Sequence, residues 1–420
     1  MNEVLVLGAG PAGLGAGLVL GKRALVLEQA EQAGGLSGSI EFEGAVFDFG
    51  GHSFHTPHPH VRRWLANTVE WYEQPRDARC FSHAQMIRYP FQKHFRDLDE
   101  AAVVNDCEEG LQKADAAPNS KNFGEFLDRR FGAGIGRHFM LPYNRKLWGK
   151  DLERLAPDWA AERVAAPAGA AEAFDEQGGK RTPLQDGTRV AYPARGGFGS
   201  IMTALARQLH DVRYRESVVS IDLKARTVTT RSGHEYSFER IVSTLPLQRL
   251  LRVCSSVPRE IEQEVELLEC LSLDVVLLVV GHPVDTAIQR VYCADDTVPA
   301  HKVALNHNSS PYLRALPRHG IMAEVSLANG RPSPRELIDW TIGGLVRMGI
   351  LARADEVVAT RIVSIPQAYP VPTHARDRIV AKVRGWLAEH GIYTVGRFGE
   401  WAYINSDEAL HRGAALGARL

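Results

Sequence analysis

The chain has 420 residues, with 49 Lys and Arg against 50 Asp and Glu for a formal net charge of -1. Hydrophobic residues at 45% and charged residues at 24% are ordinary globular values, which excludes a disordered chain, a collagen-like repeat and a single small module, and fits about two or three domains. Balanced charge also excludes a global basic field for nucleic acid or an anionic membrane, so any anion must be held by a local site. Cys80, Cys107, Cys254, Cys270 and Cys293 are widely spaced and contain no CxxC, which predicts reduced thiols in a cytoplasmic protein. Glu3 precedes the apolar run Val4 to Leu20, where a secretory leader would carry basic residues. No stretch reaches the roughly 18 to 20 apolar residues of a membrane span, so neither a leader nor membrane insertion is expected.

Taken in chain order, Val4-Leu5-Val6-Leu7 reads as a buried parallel strand, followed by Gly8-Ala9-Gly10-Pro11-Ala12-Gly13 and a helix to about Leu20. Gly8 permits the tight turn, Gly10 lets backbone approach a pyrophosphate, and Gly13 and Gly17 let the helix pack closely on the sheet. The helix N-terminus offers free N–H groups to phosphates. A second strand, Ala24 to Leu27, ends in Glu28, about 20 residues past the first glycine, where a carboxylate accepts the hydroxyls of an adenosine ribose. Together these predict a dinucleotide site. Two glycine pairs, in Gly34-Gly35-Leu36-Ser37-Gly38 and Phe47-Asp48-Phe49-Gly50-Gly51-His52, allow backbone close to a flat ring system. The histidines from His52 to His60 are interrupted by Pro57 and Pro59 and have no Cys or carboxylate at ligand spacing, so no metal site is expected and His58 and His60 read as solvated.

In Arg88-Tyr89-Pro90-Phe91-Gln92 an aromatic beside an amide suits stacking on, and hydrogen bonding to, a pyrimidine. Phe123, Leu127 and Phe131 lie at helical spacing within Asn122 to Asp151 and predict a helical core stripe. Ala168 to Asp186 reads as a mobile loop. Glu216 to Thr229 and Glu235 to Val242 alternate like strands, Val275 to Val280 is a buried-strand run, and Ser333-Pro334-Arg335-Glu336 caps an amphipathic helix to about Leu351.

The glycine motifs, together with Gly396-Arg397-Phe398-Gly399-Glu400-Trp401, resemble the FAD-binding fold shared by amine oxidases, protoporphyrinogen oxidase and UDP-galactopyranose mutase. Tyr89-Pro90-Phe91-Gln92, Pro142-Tyr143-Asn144-Arg145-Lys146-Leu147-Trp148, Glu162-Arg163-Val164-Ala165-Ala166-Pro167 and Tyr192 to Gly199 are similar to UDP-galactopyranose mutases, especially the eukaryotic-type branch, over Gly8 to Gly417. The resemblance implies an α/β fold: a Rossmann-type FAD-binding domain discontinuous in sequence (1–85, 186–255 and 376–420), a mainly helical domain (86–185) and a mixed α+β substrate domain (256–375).

It further implies FAD contacts at Gly8, Gly10, Pro11, Ala12, Gly13, Glu28, Gln29, Gly35, Leu36, Ser37, Gly50, Gly51, His52, Val219, Gly396, Arg397, Asn405 and Ser406. Phe91 and Gln92 match uracil contacts, with Tyr89, Asn144 and Trp148 nearby. Arg163 matches a diphosphate arginine, and Tyr292, Tyr369 and Tyr403 match phosphate-contacting tyrosines. The implied activity is pyranose–furanose interconversion of a UDP-galactose-like nucleotide sugar through an adduct of the sugar with N5 of reduced FAD, NADPH or NADH being the reductant. His52, Arg163 and Lys302 stand at the reaction. Three departures touch the sugar end: Lys302 replaces a second diphosphate arginine, Leu184-Gln185-Asp186-Gly187-Thr188 replaces a Trp-Gly-Pro-Asn stretch, and Arg290 replaces a tryptophan. An amine or porphyrinogen oxidase, or a non-catalytic nucleotide-sugar-binding flavoprotein, are the alternatives.

Overall fold

The run Val4–Leu7 sits at the centre of a mostly parallel sheet, and all four of its side chains are 0% exposed. In the computed structural model, which describes residues 2–115, 119–160, 164 and 189–420, this strand spans Asn2–Leu7. Ala24–Leu27 and Glu235–Ser243 flank it in parallel, with Val212–Arg213 and Ile392–Thr394 outside them. An antiparallel hairpin, Val218–Asp222 and Thr227–Thr230, extends the start of Glu235–Ser243. The sheet therefore gathers the beginning, middle and end of the chain, the discontinuous α/β arrangement of an FAD-binding fold.

What locks the two chain ends together is backbone contact between helices Pro11–Leu20 and Ser406–Gly417. A Cβ on Gly413 would lie 1.9 Å from the Ala12 carbonyl oxygen, and one on Gly15 would lie 2.1 Å from that of Leu410. Only glycine permits this approach.

The second sheet runs Val357–Pro370, Cys270–Val280, His319–Ser326, Lys302–Leu305, Arg290–Cys293, Ala78–Ser82 and Gln85–Arg88. The hairpin at 78–88 straddles residue 85 and joins this sheet through parallel pairing with Arg290–Cys293. Helix Pro334–Arg347, opened by a Ser333–Glu336 capping box, buries Leu337 and Leu345 against one face. The helical layer, including Ala101–Gln112, Phe123–Ile135 and Leu141–Trp148, packs around Phe95, Phe123, Leu127 and Phe131. Arg163 and the stretch Ala168 to Asp186 lie outside the described residues. Among the described residues all five cysteines are free, no helix is long and apolar enough to cross a membrane, and no group of His, Cys, Asp and Glu is placed to hold a metal ion.

Two glycines in long helices should respond oppositely to substitution. Gly413→Val drives a side chain into backbone that cannot yield, so a loss of at least about 1–3 kcal/mol and a lower melting temperature are expected. Gly385, in helix Arg376–Glu389, has nothing within 4 Å of its Cβ position, so Gly385→Ala should stabilise by up to about 1 kcal/mol. Equal melting of the two variants in thermal denaturation would remove the packing argument.

Candidate active site

One cavity of about 1110 Å³ is lined by residues of both sheets and the helical layer. At its dinucleotide end Gly8 has φ +101° and its Cβ position lies 2.3 Å from Thr244 Oγ1, so the turn requires glycine there. The space in front of Gly10 is open: the nearest atom to its Cβ position is Gly35 Cα at 4.0 Å. The first helix starts at Pro11 without a side-chain cap, leaving its N-terminal amides to an anion in that space. Glu28 is 6% exposed and accepts the backbone N–H groups of Ala9 (2.7 Å) and Ala30 (2.8 Å), one on each oxygen. Each oxygen keeps acceptor capacity toward the cavity. These features fit the pyrophosphate and ribose of a bound FAD.

Pro11, Ala12, Gln29, Gly35, Leu36, Ser37, Gly396, Arg397, Asn405 and Ser406 also line the cavity. Gly13 does not; its Cβ position is 1.9 Å from the Gly8 carbonyl oxygen, and it holds the helix against the turn from behind. The expected contact at Val219 is corrected to Val218, which lines the cavity while Val219 is 42% exposed. A register irregularity between Val218 and Ser220 sets which of the two faces inward.

At the other end the Gly50-Gly51-His52 loop is fixed from two sides. Buried Asp48 accepts from Ser39 Oγ (2.6 Å), Tyr192 OH (2.8 Å) and the Phe198 N–H (2.9 Å); burial pushes its carboxyl up to about 6 in spite of these bonds. Opposite it, Glu324 is 1% exposed and accepts the Gly51 N–H (2.8 Å), Lys302 Nζ (2.7 Å) and Tyr369 OH (3.3 Å). Burial alone would raise the Glu324 carboxyl, but Lys302 outweighs it and holds the group at about 2. Lys302 is thus tied to a carboxylate beneath Gly51, where it was expected to stand on a diphosphate. His52 stacks on Phe198 with centroids 4.8 Å apart, and its Nδ1 has no hydrogen-bond partner among the described residues. Burial, with Lys302 and Arg290 nearby, pushes its imidazole down to about 3, so it is neutral at physiological pH.

Strand pairing puts Tyr292, Lys302 and Glu324 side by side on one sheet face, with Arg290 paired to Ala304 in the adjacent row. Arg290 Nε comes within 3.1 Å of the Cβ position of Gly51. Moving outward, Arg76 Nη2 donates to Tyr292 OH (3.3 Å) and its guanidinium lies 4.9 Å over the Tyr89 ring, which stacks on Tyr292 at 4.6 Å. Burial pushes the Tyr292 hydroxyl up, but Arg76, Arg290 and Lys302 together hold it below the ordinary phenol range. Gln92, 2% exposed, and Asn144 line the wall beyond, although the Asn144 amide donates to the Met140 carbonyl (2.8 Å). Phe91 is corrected: it is 0% exposed in the helical core and stacks at 4.7 Å on Phe139, the ring that does line the cavity. On the remaining side Tyr369, Tyr403 and Trp148 meet edge to face or tilted, and Arg397, held by the Ala368 and Ile404 carbonyls, lies over both tyrosine rings.

His58 and His60 are also corrected. His58 Nε2 lies 2.7 Å from Glu408 and its ring stacks at 3.9 Å on His411, whose Nδ1 is 3.0 Å from His60 Nε2, so both pack on the C-terminal helix. Sequence reasoning missed Arg76, Tyr143, His301 and Glu324 as cavity residues. For Glu324 a signal existed: it is the one carboxylate in the apolar run Gly320 to Val325.

Removing one member of the Lys302–Glu324 pair should expose its cost. Lys302→Met leaves an uncompensated buried carboxylate and should destabilise by about 3–5 kcal/mol, most of it regained in Lys302→Met/Glu324→Leu. Chemical denaturation of the single and double variants checks this; equal stabilities would refute it. Since the Glu324 carboxyl moves from 4.5 unfolded to about 2 folded, its contribution is complete above pH 4.5 and is lost as pH falls toward 2. Glu324→Gln should flatten the stability profile in that window.

Residues 14–299 match the family model described as flavin containing amine oxidoreductase. The chain is 24% identical over 282 residues to the (S)-6-hydroxynicotine oxidase of Paenarthrobacter nicotinovorans, an alignment covering 60% of this chain and 62% of that protein, so it spans less than two thirds of this curated relative. A reduced UDP-galactopyranose mutase structure is 26% identical with TM-score 0.89, covering 99% of this chain and 93% of that one. A putrescine oxidase with bound putrescine shares the fold at 18% identity and TM-score 0.70, covering 100% and 98%. The cavity end built from Gly8, Gly10 and Glu28 fits the FAD of such proteins, and the chain belongs to the flavin-containing amine oxidoreductase family.

Proposed function

We propose that the protein is a flavin-dependent mutase that interconverts the pyranose and furanose forms of a nucleotide-linked sugar. The observation that carries this reading is the row of groups leading outward from Gly51: Arg290, Tyr292, Arg76, Tyr89 and Gln92. A nucleotide diphosphate sugar laid along it meets cations and phenols at its phosphates and an aromatic ring with an amide at its base. Arg76 and Tyr292 orient the diphosphate and offset the charge that grows on it as the bond to the sugar breaks. The Tyr369–Tyr403–Trp148 wall excludes water from the sugar, and neutral His52 presents Nδ1 without adding charge. A reduced flavin supplies nucleophilic chemistry at such a site, with NADPH or NADH as the reductant and no net redox change per turnover. The substrate partner is a UDP-linked sugar, in keeping with the similarity to the mutase structure.

A second reading, an oxidase acting on an amine or a porphyrinogen, has the family name, the hydroxynicotine oxidase and the putrescine oxidase on its side, and as names these outnumber the mutase. The two part on oxygen and on redox state. FAD-loaded protein reduced with dithionite under nitrogen is expected to convert UDP-galactopyranose or a related nucleotide sugar to its furanose isomer, and the oxidised protein to do so far more slowly. Arg76→Ala should lower kcat/KM by about tenfold to a hundredfold through loss of charge-assisted contacts. Oxygen uptake with an amine panel, and no ring isomer from any nucleotide sugar, would establish the oxidase instead.

A further inference from the structure

The cations at the ring end of the cavity differ in what already faces them. Lys302 Nζ lies 2.7 Å from Glu324, so the two charges cancel within the sheet face. Arg290, one strand away, forms no ion pair among the described residues. Burial and neighbouring Arg76 work against its charge, while the Tyr292 hydroxyl and, at longer range, Glu324 favour it. Arg290 is half-buried and lines the cavity. With the Tyr292 hydroxyl as its hydrogen-bonding neighbour among the described residues, a planar fork of five N–H donors keeps capacity for a ligand.

Its place along the cavity limits what that ligand group is. Arg290 packs on Gly51, the ring end, with the small Ala304 side chain beside it leaving the fork room. Tyr292 separates it from the Tyr89 ring, over which Arg76 is stacked. A nucleotide sugar with its base at Tyr89 and Gln92 and its diphosphate at Arg76 and Tyr292 brings its sugar, not its phosphates, to Arg290. A neutral sugar would leave that guanidinium without a direct ion-pair partner among the described residues, since Glu324 and Asp48 act on it only at longer range and Glu324 is already engaged by Lys302, which is costly for a partly buried charge.

We propose that the substrate is a nucleotide-linked sugar acid whose carboxylate pairs with Arg290 through the two arms of the guanidinium. This rests on the nucleotide-sugar reading above and narrows it. Ring exchange between six- and five-membered forms uses the hydroxyls on C4 and C5, so the carboxylate belongs on C6, as in a uronic acid.

The test is binding to FAD-loaded, oxidised protein, measured by titration calorimetry with UDP, UDP-galactose and UDP-galacturonate. Wild type is expected to bind the galacturonate about tenfold to a hundredfold more tightly than the galactose, the worth of a charge-assisted pair. Arg290→Leu should bring that ratio to about one, and Arg290→Lys, which keeps the charge but not the fork, should retain part of it. If Arg290→Leu does not fold, the wild-type ratio and Arg290→Lys still decide. Equal wild-type affinity for the two sugars overturns the proposal. So does an Arg290→Leu loss of the same factor for all three ligands, which would assign the guanidinium to the diphosphate. Wild type that binds none of the three, UDP included, defeats the nucleotide-sugar reading itself and this proposal with it.

Discussion

The Glu324 carboxylate is the constraint on which the ring end of the cavity depends. It stands in the apolar run Gly320 to Val325 of strand His319–Ser326, where an ionised group costs several kcal/mol unless donors surround it. The donors come from three other parts of the chain: Gly51 N–H from the Gly50-Gly51-His52 loop, Lys302 Nζ from the neighbouring strand, and Tyr369 OH from the far edge of the sheet. Satisfying this one group therefore fixes strand register, the docking of the glycine loop and the position of a cavity phenol together. A shift of one residue in any of these strands would turn its member away from the carboxylate.

Legibility in the sequence followed locality. The dinucleotide end was readable because strand, turn, helix and acid lie within one short stretch, and Gly8, Gly10 and Glu28 have roles set by that local geometry. Val218 and Val219 could not be told apart from alternation alone, since an irregularity in the hairpin pairing chooses between them. Phe91 and Phe139 are stacked rings in the same helical layer; the wide turn Gly136–Met140 brings Phe139 to the cavity. Lys302 was recognisable as a site cation, but its partner lies on another strand and is set by pairing register. The same holds for His58 and His60, whose partners Glu408 and His411 belong to the last helix.

Around the hub four rings are held neutral. Burial is the leading influence at His52 and His301, and both imidazoles are pushed down to about 3, while Tyr143 and Tyr369 are pushed well above the usual phenol range. The imidazoles therefore stay neutral through the physiological range, and so do these two phenols. The Glu324 carboxyl, held at about 2, stays ionised near neutral pH, and guanidiniums keep their charge there. Asp48, at about 6, can exchange a proton near neutral pH, but the site keeps its cationic arginines. It selects a ligand whose own charge complements the pattern.

That selection bears on the two enzyme readings in a way that family names do not. An ammonium entering the row would approach Arg290 and Arg76, with Glu324 already engaged by Lys302, Gly51 and Tyr369. Like charges brought together in a desolvated site cost several kcal/mol, so a protonated amine is disfavoured. An uncharged amine avoids the repulsion but gains nothing from either guanidinium. An anionic ligand gains from both at once, because fixed donors already oriented toward the cavity need no reorganisation to receive it. The fold is common to oxidases and mutase alike; the sign of charge along the inner face of the second sheet favours an anion.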